Sequence, residues 1–443
     1  MPMESKHWLI FVLCVASCDA QQANDRKAPD GTEKAAPTAT VTGHVYLDDT
    51  KGPSRKATVY LEPAATLQSD APPNRSGGQD KGTVTASVET QFDGSYSFTH
   101  VAPGSYYVLA TCLGYISPFA ALSLAQGRSG YGEWTPLGPE QMTAKNRILE
   151  SLPRLDVQAG APASADVVLE RGGAVSGTIR YDDGGPASGL EVKVLARLAT
   201  QGKEIWAAVP SEPHSLGMTP TDDRGSYRIS GLPTGKYLIE AKLEFANTKT
   251  YLSASVLSVS SSNEHAARLF LYSGNTPHEK DAAIFTLQAR EERTGEDIVI
   301  PMSKLHTIKG TIVSAHDGHM LNSGQVSLFR ADDQSLVGDQ NLTEDDPSFT
   351  FSFVYEGDYI LRTPVSADVD YEPVVQPPGS LSPPQFSAHT FHFYGSASQS
   401  LHVEGEMEGV TIAVPEPTPK EAQDAQEMMR LEEQQEKPAS APQ

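Results

Sequence analysis

The chain has 443 residues, room for three domains at roughly 150 residues each, every one large enough to bury its own core. Its 34 Lys and Arg stand against 56 Asp and Glu, a formal net charge of -22 that repels phosphate backbones and excludes nucleic acid as a bulk partner. With 36 Gly, 32 Pro and a hydrophobic fraction of 38%, the composition is that of a turn-rich β protein with polar, disordered ends.

At the N-terminus, Lys6 and His7 precede the apolar run Trp8 to Ala16, and a polar stretch follows from Asp19. This pattern predicts an export signal over residues 1–20, because about nine apolar residues fall short of the ~20 needed to span a bilayer. Two processing routes stay open. Val15-Ala16-Ser17-Cys18 resembles a bacterial lipobox, which would lipidate Cys18 and anchor the protein in a membrane; an ordinary signal peptidase would cut after Ala20. Residues 21–39 read as a flexible linker. The cysteines are Cys14, Cys18 and Cys112, which leaves no disulfide framework, and Cys112 in YYVLATCLGYI reads as a small core residue.

Three segments then open alike: VTGHVYLDD from Val41, VSGTIRYDD from Val175 and IKGTIVSAHD from Ile308. Their marker glycines, Gly43, Gly177 and Gly310, are 134 and 133 residues apart, the signature of an internal repeat. A second marker follows in each copy, and aligned on Gly94, Gly225 and Pro347 it holds register without a gap. Position +2 is Tyr96, Tyr227 and Phe349, and position +4 is Phe98, Ile229 and Phe351. Position +7 is Val101, Leu232 and Val354; +10 is Gly104, Gly235 and Gly357; +12 is Tyr106, Tyr237 and Tyr359. Residues at +2 and +4 share one face of a strand and so fill a core, and the glycine at +10 predicts a tight turn within a β-hairpin.

A third marker closes each copy with two short alternating strands, from Leu155, Phe285 and Leu401, expected to pair across a polar turn. The copies are placed at 40–172, 173–305 and 306–415, followed by an acidic disordered tail, 416–443. Many short strands without a sustained helical period predict an all-β protein of three tandem antiparallel β-sandwiches.

The opening [VI]-x-G-x-[VI] strand and the motif G-x-[YF]-x-[FI]-x-x-[VL]-x-x-G-x-Y together resemble bacterial carboxypeptidase regulatory-like domains. The resemblance covers residues 40 to 415 as three copies, the third departing from it with Pro347 in place of glycine. It implies a prealbumin-like sandwich, grouped with carbohydrate-binding-like folds, and it implies no peptidase activity.

Chemistry-bearing patterns are sparse. The 12 histidines include no His-Glu-x-x-His or His-x-x-Glu, so a zinc peptidase is not expected. The closest patterns, His316 with His319 and His389 with His392, read as structural; on a strand, a separation of three sends two rings to opposite faces. GRSGYG from Gly127 is a loop and no nucleophile elbow, and no dinucleotide fingerprint, P-loop or EF-hand spacing occurs. The pairs Asp48-Asp49, Asp182-Asp183 and Asp222-Asp223 could ligate calcium if loops converge, but Asp is also a favoured turn residue. Sugar recognition needs exposed rings to stack on pyranose faces. Tyr131, Trp134 and Trp206 are the candidates because they lie outside the aligned core positions, with ordinary packing as the competing reading.

The sequence therefore predicts a non-catalytic exported protein, without cofactor or metal, in the periplasm, cell envelope or outside the cell. It would serve as a binding or scaffolding module for envelope proteins; the alternative is an extracellular carbohydrate-binding protein that engages polysaccharide through the loop aromatics. Membrane contact would come only through an N-terminal lipid on Cys18.

Overall fold

The computed structural model describes residues 38–70, 86–126, 136–200, 203–210, 217–252, 259–342, 346–364, 366–373 and 386–423. The export signal, most of the linker and most of the acidic tail lie outside the described residues. The chain builds three tandem β-sandwiches. Their paired sheets hold four and four strands in the first, four and six in the second, and three and six in the third.

Each marker glycine sits on the central strand of one sheet of its sandwich: Ala39–Leu47, Gly173–Tyr181 and Leu305–Ser314. Directly across the ladder from it lies the +2 aromatic, giving the pairs Gly43 with Tyr96, Gly177 with Tyr227 and Gly310 with Phe349. On its other side the same strand pairs in parallel with the closing segment, for instance Val45 with Val167, Ile179 with Ile298 and Ile312 with Ile412. The sandwiches are predominantly antiparallel, as expected, and these sheets add a parallel pairing with the closing segment. The cause is that the closing segment crosses over the core and returns in the direction of the opening strand.

The same crossing corrects the hairpin. Strand Ser95–Val101 pairs in one sheet with the opening strand, whereas Gly104–Thr111 pairs in the other with Thr58–Pro63 and Arg154–Val157. The second copy divides Ser226–Leu232 from Gly235–Leu252 in the same way, and the third divides Ser348–Tyr355 from Gly357–Thr363. The two strands of each closing marker also fall in opposite sheets, as Ala397–Val403 and Met407–Val414 do. Period-two alternation reports which face a side chain takes and is silent about which strand it bonds.

Two local devices turn the corner. Position +6 has left-handed backbone in all three copies, at His100 (φ 61°), Gly231 (φ 79°) and Phe353 (φ 62°), next to a bulge in the ladder. The +12 tyrosine then donates its hydroxyl to the carbonyl four residues before it: Tyr106 to Ala102 at 3.1 Å, Tyr237 to Pro233 at 2.6 Å and Tyr359 to Tyr355 at 2.7 Å. This is a tyrosine corner. Its ring explains the glycine at +10, where an added Cβ would meet it at 3.3 Å in Gly104 and 3.2 Å in Gly235. Only Gly357 in the third copy carries a positive φ, of 149°.

The repeating aromatics fill cores as expected: Tyr96, Phe98, Tyr227, Phe349, Phe351, Tyr237 and Tyr359 are all buried. Helices Pro118–Gln126 and Pro139–Ser151, which the sequence reading did not anticipate, cover the outer face of the first sandwich's second sheet through Leu122 and Leu149 on Tyr107 and Leu109. Each begins with a proline, whose missing N–H costs nothing at a first helical position, and Gly138 N–H is held by the Gln141 side chain at 2.8 Å.

Substitution at +6 tests the corner. Gly231→Ala imposes a left-handed conformation on an L side chain and brings its Cβ 2.5 Å from the Tyr115 carbonyl oxygen. It should lower stability by about 2 kcal/mol or more, while His100→Gly should raise it by up to about 1 kcal/mol, both read from urea denaturation.

Candidate functional site

Of the residues nominated from sequence, Cys18, Tyr131 and Trp134 lie outside the described residues. Trp206 lies on Lys203–Ala208, opposite Arg197 and half-buried against a small cluster of Leu195, Leu238 and Tyr272 on the outer face of the second sandwich. Cys112 is a free thiol, half-buried at the edge of the first core.

The acidic pairs serve as hydrogen-bond acceptors within the fold. Asp48 accepts the Arg171 N–H at 2.8 Å, and Asp49 accepts the Tyr115 hydroxyl at 2.9 Å. Asp182 accepts the N–H and hydroxyl of Ser303 at 3.0 and 2.6 Å, Asp183 the Gly185 N–H at 2.8 Å, and Asp222 the N–H groups of Arg224 and Ser226 at 2.9 and 2.8 Å. Asp183 and Asp222 thus close their own turns, whereas Asp48, Asp49 and Asp182 tie their turns to segments distant in sequence.

A titratable cluster in the third sandwich unites one histidine from each of the two sequence patterns. His319 stands in the turn after Leu305–Ser314 with its Nδ1 2.6 Å from Asp317 and its Nε2 3.0 Å from Asp368 on the strand Ser366–Pro373. Tyr394, buried at the end of Phe386–Tyr394, donates to the same Asp368 oxygen at 2.7 Å and lies 3.3 Å from His319 Nε2. His392 stacks edge-on against Tyr394 with ring centres 4.6 Å apart, and its Nε2 is 3.0 Å from Glu416 just past the closing strand. The strand bulges at this point, since Asp368 pairs with His392 and Val369 with Thr390. His316 donates only its backbone N–H, to Ser314 at 3.2 Å, and the His389 side chain lies outside what is described.

Carboxylates on both ring nitrogens favour the imidazolium. Hydrogen bonds from Asp317 and then Asp368 raise the His319 pKa above 6.5, and the reciprocal bond holds Asp317 down at about 2. Burial, then the bond to Asp368, pushes the Tyr394 phenol upward. Held at both ring nitrogens, His319 clasps a turn to a strand pair, and His392 extends the clasp to the segment after the closing strand.

Among the described residues one group offers three metal-type ligand atoms within 4.8 Å: His278, Asp332 and Asp333, where the second and third sandwiches meet. Lys280 bonds Asp332 at 2.8 Å, and the buried Arg330 guanidinium donates to the Pro277 carbonyl beside His278, so these cations already supply the positive charge that a metal would bring.

No protein-family model matches the sequence, and no curated protein matches it. Among solved structures, a streptococcal ancillary pilin is 12% identical with a TM-score of 0.27, the alignment covering 86% of this chain and 99% of that one. BcpA, the major pilin subunit of Bacillus cereus, is 11% identical with a TM-score of 0.18 over 85% of this chain and 99% of that one. The Bacillus anthracis TIE protein is 12% identical with a TM-score of 0.18 over 85% of this chain, which spans about half (51%) of that protein's length. At these scores none bears on activity or partners.

The clasp predicts a pH window. The raised His319 pKa contributes stability that is complete below its ordinary value of 6.5 and is lost as pH rises through the folded value. The lowered Asp317 pKa contributes stability present above 3.8 and lost as pH falls through about 2. NMR titration of the His319 ring should give a midpoint above 6.5 that drops toward that value in Asp317→Asn; a midpoint at or below 6.5 in the unaltered protein contradicts the clasp.

Proposed function

We propose that this is a non-catalytic, exported binding or scaffolding protein of the cell envelope, built from three carboxypeptidase regulatory-like domains. The observation that carries this reading is the use to which reactive side chains are put. Tyr96 and Tyr227 hydroxyls are spent on the carbonyls of Ala165 and Glu296, both at 2.6 Å, the +12 tyrosines on corners, Asp48 and Asp183 on backbone N–H groups and His319 on two carboxylates.

The joints between sandwiches support it. Only Glu170, Arg171 and Gly172 separate the strand Val167–Leu169 from Gly173–Tyr181, and a single turn, Met302–Lys304, separates Ile300 from Leu305. Ala120 and Leu124 of the first sandwich and Leu305 and Tyr355 of the third pack on the second core. Asp48 pairs with Arg290 across the first joint, and Arg330 is buried at the second. Short connections with shared apolar contacts restrain the relative motion of neighbouring domains, which suits a scaffold. The finer family reading rests on the marker motifs, and export on the Trp8 to Ala16 run. No helix among the described residues is long and apolar enough to cross a membrane. The half-buried packing of Trp206 does not favour sugar stacking there.

Mass spectrometry of protein recovered from cells should find a mature N-terminus at a lipidated Cys18 or at Gln21; an intact residue 1–20 segment on protein confined to the cytosol overturns export. At the second joint, Arg330→Ala should cost about 1–3 kcal/mol and uncouple the unfolding of the last two sandwiches in urea. A single unaltered transition would show that the joint is not held there.

A further inference from the structure

We infer that the joint between the first and second sandwiches holds a binding site for a small organic carboxylate with a short apolar body. A cavity of about 330 Å³ opens there, between the turn after Gly104–Thr111 and the strands Met218–Pro220 and Ser226–Leu232. That volume is at the lower end of the range for small-molecule sites.

Among the described residues its charged lining is of one sign. Lys56 and Arg228 border it, and no Asp or Glu does among the described residues, in a chain whose carboxylates outnumber its cations 56 to 34. Arg228 is matched by Glu292 at 2.7 Å, outside the lining, whereas Lys56 has no ion-pair partner among the described residues. Deeper in, Ser117 is only 4% exposed and its buried hydroxyl has no hydrogen-bond partner. A buried hydroxyl without a partner costs about 1–3 kcal/mol, and a ligand oxygen would recover it. Ser117 directly precedes the helix Pro118–Gln126, which places its hydroxyl beside the positive end of that helix. Met218, Ile229 and Leu232 supply the apolar remainder of the wall. This also accounts for Ile229, which is half-buried where the corresponding Phe98 and Phe351 are fully buried. A carboxylate head directed at Ser117 and Lys56, with an apolar tail along Ile229 and Leu232, satisfies all of these groups at once.

Cys112 lines the cavity and reports on it directly. In the full chain, alkylation of Cys112 by iodoacetate, followed by peptide mapping, should saturate with reagent concentration. Butyrate should slow it about tenfold while butyramide, lacking the charge, should not. Ser117→Ala and Lys56→Glu should each return the reaction to a linear dependence on iodoacetate. A rate linear in iodoacetate throughout, and equally indifferent to butyrate and butyramide, would overturn the site; that comparison needs no variant and holds even if a substitution disturbs folding.

Discussion

Every sandwich closes on a contact that leaves no room for a side chain. A Cβ added to Gly43 would lie 1.7 Å from the Ala165 carbonyl oxygen, one on Gly177 would lie 2.2 Å from that of Glu296, and one on Gly310 would lie 2.1 Å from that of Val410. The closing segment can return beside the opening strand only because the marker position is bare. The +2 aromatic completes the contact from across the ladder: Tyr96 and Tyr227 donate to that same carbonyl, and in the third copy the Phe349 ring edge takes the place of the hydroxyl. Burial raises the pKa of both phenols, so they remain neutral donors at any physiological pH. Polar satisfaction of a carbonyl and filling of the core are thus accomplished by one residue.

From this contact the remaining architecture follows. Once the closing segment is fixed beside the opening strand, the strand before it must lie in the opposite sheet, and the chain must cross the core twice in each copy. The bulge at +6 and the tyrosine corner at +12 make the first crossing. His100 and Phe353 tolerate a conformation that Gly231 adopts freely, which shows that the bend is enforced by packing rather than by residue choice.

Much of this was legible in the sequence. The spacing of Gly43, Gly177 and Gly310 and the aromatic register at +2, +4 and +12 located three cores, because period and burial are local properties of a strand. Strand partners were not legible: Tyr96 and Tyr106 alternate correctly for a hairpin and for a crossing alike. The glycine at +10 was assigned to backbone freedom, whereas Gly104 and Gly235 are there to admit a tyrosine ring, a distinction visible only in three dimensions. The two helices carried proline start signals at Pro118 and Pro139 that the repeat pattern overshadowed. His319 and His392 were noticed as members of separate pairs; their meeting around Tyr394 depends on a turn and a bulged strand 73 residues apart, which no local spacing encodes. The joint cavity was equally hidden, since Lys56, Ser117 and Arg228 share no motif.

The account is tested most directly by hydrogen exchange measured by mass spectrometry on the intact protein under native conditions. The opening strands are bonded on both sides and locked by the bare glycine, so segments 41–47, 175–181 and 308–314 should each be the slowest to exchange within their own sandwich. Exchange in these segments as fast as in the edge strands 86–89 and 203–208 would contradict the claim that each sandwich closes on its marker glycine.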